Sequence, residues 1–117
     1  LGFIPQKDLS GLLKNSIAFV YPSLSEGFGL QGLESISAGT LVLASNIPIF
    51  KEIYNDKVIY FNPYDFTSIA KTMETSLEMK EEERESFIKR SQKFIKRYSW
   101  VKMTKKTYRT YESCNSL

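Results

Sequence analysis

Two glutamates, Glu26 and Glu34, stand eight positions apart, and Gly27, Gly29 and Gly32 lie between them. A carboxylate accepts hydrogen bonds from hydroxyls and can hold two adjacent ones. Glycine admits left-handed backbone and a close approach to a ligand. The stretch follows an apolar run, 17–21, of strand length, and leads into a helical pattern that ends near Gly39. With a helix starting near Leu30, the amides of Phe28, Gly29 and Leu30 are unpaired donors at its positive end. That is an anion site suited to a diphosphate. Hydroxyl acceptors on either side of phosphate donors fit a ligand with ribose, diphosphate and hexose in series, as in a nucleotide sugar. A plainer reading stays open: the glycines form a tight turn, and Glu34 is a favourable charge near a helix start, worth about 0.3–1 kcal/mol.

The surrounding pattern is α/β. Residues 1–5 read as a strand end stopped by Pro5, and 8–14 as a short helix with Leu9, Leu12 and Leu13 on one face. The run 17–21 reads as a strand buried on both faces, which belongs in a parallel sheet covered by helices. The apolar run 41–44 is a second such strand, so strand, helix and strand form a βαβ unit. Pro48 suits the first position of a helix to about Tyr54. A third strand is expected at 58–61. Asp65 then caps a helix whose apolar face is Phe66, Ile69, Ala70, Met73 and Leu77. A helix from about Lys80 opens on Glu81, Glu82 and Glu83 and packs through Phe87, Ile88, Ser91, Phe94, Ile95 and Tyr98. Ser99 caps a last helix, with Trp100, Tyr108 and Tyr111 read as packing residues. In open parallel sheets ligands bind beyond the carboxyl ends of the strands, where the 25–30 loop falls. The expected division is a Rossmann-like nucleotide-sugar-binding part at 1–79, lacking its N-terminal portion, and packed C-terminal helices at 80–117.

The 117 residues suit one domain, and their opening reads as the middle of a fold, so a piece of a longer protein is expected. With no histidine, chemistry falls to carboxylates, backbone amides, Lys and Arg. Cys114 is the single cysteine, so a reducing cytoplasm is the expected location. Net charge is +3 but uneven: residues 1–85 hold 7 basic and 12 acidic side chains, and 86–117 hold 9 basic and 1 acidic. The basic C-terminal helices read either as contact with an anionic membrane surface or, more plainly, as solvated faces. The aromatics there fall at core spacing, so no nucleic-acid partner is expected.

The run Pro22-Ser23-Leu24-Ser25-Glu26-Gly27-Phe28-Gly29-Leu30-Gln31-Gly32-Leu33-Glu34, continuing to Gly39-Thr40, resembles the signature of GT-B retaining glycosyltransferases of family 4, the glycosyl transferases group 1. Val42-Leu43-Ala44-Ser45, Ile47-Pro48, Glu52-Ile53, Tyr60-Phe61-Asn62-Pro63 and Tyr98-Ser99-Trp100 extend the resemblance over most of the chain. It implies the C-terminal, donor-binding half of a GT-B fold, with a helical C-terminal extension, in polysaccharide biosynthesis. Glu26, the implied catalytic residue, would contact hydroxyls of the transferred sugar. The Gly27–Leu30 segment would hold the sugar and distal phosphate through the amides of Phe28, Gly29 and Leu30. Glu34 would hold the ribose. The resemblance further implies transfer with retention and no metal or cofactor. The partners would be a nucleotide sugar and an N-terminal acceptor domain, without which the fragment is inactive. The location would be cytoplasmic, or peripheral at the inner membrane face. Where the family usually has proline, this chain has Gln31, Leu41 and Lys51. A non-catalytic nucleotide- or sugar-binding module, or an interaction domain, is the alternative.

Overall fold

The computed structural model describes residues 2–115. In chain order the elements are α1 (Gln6–Lys14), β1 (Ala18–Tyr21), α2 (Leu30–Ala38), β2 (Leu41–Ser45), α3 (Pro48–Tyr54), β3 (Ile59–Phe61), α4 (Phe66–Glu78), α5 (Glu81–Ile95) and α6 (Trp100–Asn115). Residues 2–5 form no strand, against the expectation for that stretch, and Leu1 lies outside the described residues.

The three strands form one parallel sheet in the order β1-β2-β3. Helices flank it, so the fold is the α/β, Rossmann-like arrangement that the alternation of patterns predicts. Every residue of β2 is buried, which is why its sequence is almost unbroken apolar. The one hydroxyl there, of Ser45, donates to the Tyr21 carbonyl at 3.2 Å. Alternate residues of β2 serve different cores. Val42 and Ala44 join Tyr21, Leu33, Ile36, Phe50, Ile53 and Tyr54, while Leu41 and Leu43 join Phe61. In β1 only Tyr21 is buried, contrary to the expected strand buried on both faces. The reason is position: β1 lies at an edge of this sheet, and Ile17 beside it is 59% exposed.

Pro48 opens α3, and the Asp65 side chain caps α4 by accepting from the Thr67 amide at 2.9 Å. α5 returns across the sheet and against α2. Its Ser91 hydroxyl donates to the Lys57 carbonyl at 2.9 Å, and Arg84 donates to the Ile17 carbonyl at 2.7 Å. Ile95 and Tyr98 reach the first core and Phe87 the second.

Two helices depart from their expected packing. On α4 the expected core face is mostly outside: Phe66, Met73 and Leu77 are exposed, Ile69 is half-buried, and the one buried residue is Ser76. The helix has the expected period, but its face toward the sheet is narrow because β3 is only three residues long. Leu77→Gln is therefore expected to change unfolding free energy by less than about 0.5 kcal/mol, against the 2 kcal/mol or more of a core leucine, as urea denaturation would show. On α6 every residue from 100 to 114 is exposed, Trp100, Tyr108 and Tyr111 included. The radius of gyration is 16.6 Å, against roughly 13 Å for a compact domain of this size, because α6 projects from the body.

Candidate functional site

The site forms where β1 ends and α2 begins. Helix α2 starts at Leu30, as the sequence predicts, and Gly29 is its N-cap with φ +89° and no side-chain cap. The buried Tyr54 hydroxyl, from α3, donates to the Gly29 carbonyl. Burial, reinforced by the neighbouring Tyr21 and Glu26, raises the Tyr54 pKa well above that of a free phenol, so the hydroxyl keeps its proton. Gly32 is glycine because a Cβ there would lie 2.6 Å from Tyr54 Cζ. The amides of Leu30, Gln31 and Gly32, at the start of α2, have no partner within the helix.

Glu26 is half-buried in the loop before the helix. Its Oε1 receives the Ser23 hydroxyl at 2.7 Å and the Tyr21 hydroxyl at 3.0 Å. The Tyr21 hydroxyl also lies 2.6 Å from Gln31 Oε1, a second acceptor. A phenol has one proton, so Glu26 and Gln31 share it as acceptors. Burial pushes the Tyr21 pKa up to about 12, with the Glu26 hydrogen bond and charge adding to the effect. The phenol therefore remains a donor at any physiological pH.

The remaining residues divide. Gly27 is exposed, lacks a positive φ, and a Cβ built on it meets nothing within 4 Å. Of the two glycines in this loop, Gly29 alone uses the left-handed geometry that glycine allows. Phe28 is 38% exposed and sets its edge against Tyr98, ring centroids 5.7 Å apart. Leu30 is exposed in the first turn, and Glu34 is exposed on α2, about 6 Å further along the axis. One carboxylate is therefore fixed at the mouth of the loop, and the other faces solvent a turn later. Sequence reasoning missed Tyr21, Ser23 and Tyr54. The available signal was a phenol at the end of an otherwise aliphatic and phenyl strand.

The chain matches the family described as glycosyl transferases group 1 over residues 1–94. It belongs to that family. It is 35% identical over 112 residues to O-antigen chain mannosyltransferase B of Escherichia coli, a match covering 96% of this chain and 29% of that protein. To the serotype-specific mannosyltransferase WbdA of Escherichia coli it is 41% identical over 76 residues, covering 65% of this chain and 9% of that protein. To O-antigen chain mannosyltransferase RfbU of Salmonella typhimurium it is 40% identical over 58 residues, covering 50% and 16%. This member of the glycosyl transferases group 1 thus spans less than a third of the length of these relatives.

Proposed function

We propose that this chain is the donor-binding part of a GT-B glycosyltransferase of family 4. The enzyme moves a sugar from a nucleotide-diphospho-sugar to an acceptor, with retention and without a metal ion. The observation that carries the reading is the start of α2: amides at a helix N-terminus, between a fixed Glu26 and an exposed Glu34. Glu26 accepts from hydroxyls of the transferred sugar. The backbone from Gly27 to Leu30 faces the sugar and the distal phosphate, and the open space at Gly27 leaves room for that approach. Glu34 accepts from the ribose hydroxyls. As the bond between the anomeric carbon and the phosphate oxygen breaks, the helix N-terminus stabilises charge on the leaving diphosphate. The acceptor hydroxyl forms the new bond on the same face of the sugar and gives its proton to the leaving diphosphate.

Two relatives are named as O-antigen chain mannosyltransferases and a third as a serotype-specific mannosyltransferase, which makes an activated mannose the first donor to test and a polysaccharide the product. A preceding acceptor domain would complete the enzyme, so the 117 residues alone are expected to transfer nothing. The protein would work in the cytoplasm, at or near the inner membrane face.

The test is calorimetric titration of the chain, joined to its acceptor domain, with a panel of UDP-, GDP- and ADP-sugars that includes GDP-mannose. One of them should bind, and Glu34→Ala should weaken the parent nucleoside diphosphate about tenfold, the loss of one charged hydrogen-bond acceptor. Absence of binding across the whole panel sinks the reading.

A further inference from the structure

Tyr54 is the largest fully buried side chain among the described residues, and it carries a hydroxyl into the core. A phenyl ring would fill the same space, as Phe50 does beside it, with centroids 5.3 Å apart. The hydroxyl instead reaches the start of α2 and donates to the Gly29 carbonyl. The chain makes room for it: a Cβ on Gly32 would stand 2.6 Å from Tyr54 Cζ. Burial raises the pKa of the phenol, so its proton is always there to give.

The Gly29 carbonyl and the Leu30 amide belong to one peptide unit, and no described peptide bond is cis. In a trans unit C=O and N–H point in opposite directions. With the carbonyl drawn onto a phenol in the core, the Leu30 N–H points away from that core. Leu30 is the first residue of α2 and is 44% exposed, and its amide has no partner within the helix. Gly29, at φ +89° and without a Cβ, does little to hold this peptide plane by itself. The phenol, the peptide and the amide also form one chain of aligned dipoles, in which each hydrogen bond strengthens the next.

We infer that Tyr54 is a positioning residue of the donor site, whose hydroxyl fixes and polarises the Gly29–Leu30 peptide so that the Leu30 amide donates to the distal phosphate of the nucleotide sugar. The inference rests on the donor-site reading above. Negative charge grows on that phosphate as its bond to the sugar breaks, and a donor already aimed needs no reorganisation at that moment. Tyr54 itself touches no ligand and gives up no proton.

The decisive experiment uses the chain joined to its acceptor domain, as wild type, Tyr54→Phe and Phe50→Leu. GDP, UDP and ADP are titrated beside GMP, UMP and AMP, which lack the distal phosphate. For the pair whose diphosphate binds wild type, Tyr54→Phe should weaken the diphosphate about fivefold, the worth of one hydrogen bond, and the monophosphate less than about twofold. Phe50→Leu, a packing change beside the phenol, should lower the urea midpoint and keep the two affinities in their wild-type ratio. A Tyr54→Phe that weakens both ligands alike is merely structural and overturns the inference. So does one that changes neither, or a Phe50→Leu that reproduces the split. A measurement on wild type needs no variant: the diphosphate should move the Leu30 amide proton resonance downfield, and an unmoved resonance overturns the inference as well. If wild type binds none of the three diphosphates, the donor-site reading falls and takes this inference with it.

Discussion

Gly29→Ala is expected to destabilise the fold by about 3–5 kcal/mol, several times the effect of the same change at Gly27. Gly29 has φ +89°, where a Cβ crowds the backbone and costs about 1–2 kcal/mol. The larger part is overlap. A Cβ there would sit 2.5 Å from the Tyr54 hydroxyl oxygen and 2.7 Å from Phe50 Cε1. Neither ring has room to yield. Both are fully buried, and Phe50 is flanked by Tyr21 at 4.7 Å and Tyr54 at 5.3 Å between centroids. Displacing Tyr54 would also strip the Gly29 carbonyl of its phenol partner, at about 1–3 kcal/mol. Gly27→Ala meets open space at an ordinary φ and should stay within about 1 kcal/mol of wild type. Urea denaturation of both variants checks this without any ligand. A loss below about 1 kcal/mol at Gly29 would show that the α2 start is not held by Tyr54 and Phe50.

The same contacts explain what sequence reading could and could not reach. The start of α2 was legible because a strand pattern, glycines and a helical period change over within a few residues. The three strands were legible because runs of Val, Leu, Ile and aromatic residues are short and bounded by turn residues. The Tyr54 contact was not, because it joins residues 25 positions apart and nothing local marks a tyrosine in α3 as the partner of a glycine at the start of α2. Likewise Tyr21 reads as one more apolar strand residue, and only its depth at the strand end turns its hydroxyl toward Glu26. The misread face of α4 has a different cause. Periodicity reports that a helix has an apolar side, and the extent of the surface opposite decides how much of it is covered. A three-residue β3 covers little, and Phe66, Met73 and Leu77 stay outside. On α6 the aromatic spacing is equally regular, yet residues 100–114 are all exposed.

Glu26→Ala should lower sugar transfer by at least about 100-fold while leaving the affinity for the free nucleoside diphosphate within about twofold, the pattern of a contact made chiefly at the reacting sugar. The fold should survive. Tyr21 keeps Gln31 as a partner and Ser23 lies near the surface, so the loss of stability is about 1 kcal/mol. Glu26→Gln separates two explanations of that loss. If the carboxylate served only as bulk, glutamine would restore transfer, because it has the same length and shape. In the observed geometry the Ser23 and Tyr21 hydroxyls both donate to one oxygen of residue 26. A glutamine must turn its carbonyl oxygen toward those donors, which leaves its NH2 facing the sugar. An amide that donates cannot replace an oxygen that accepts, so Glu26→Gln should be no more active than Glu26→Ala. Kinetics on the chain joined to its acceptor domain would decide. Transfer by Glu26→Gln within tenfold of wild type would mean that the free oxygen of Glu26 does not accept from the sugar, and that the clamp around it has another purpose.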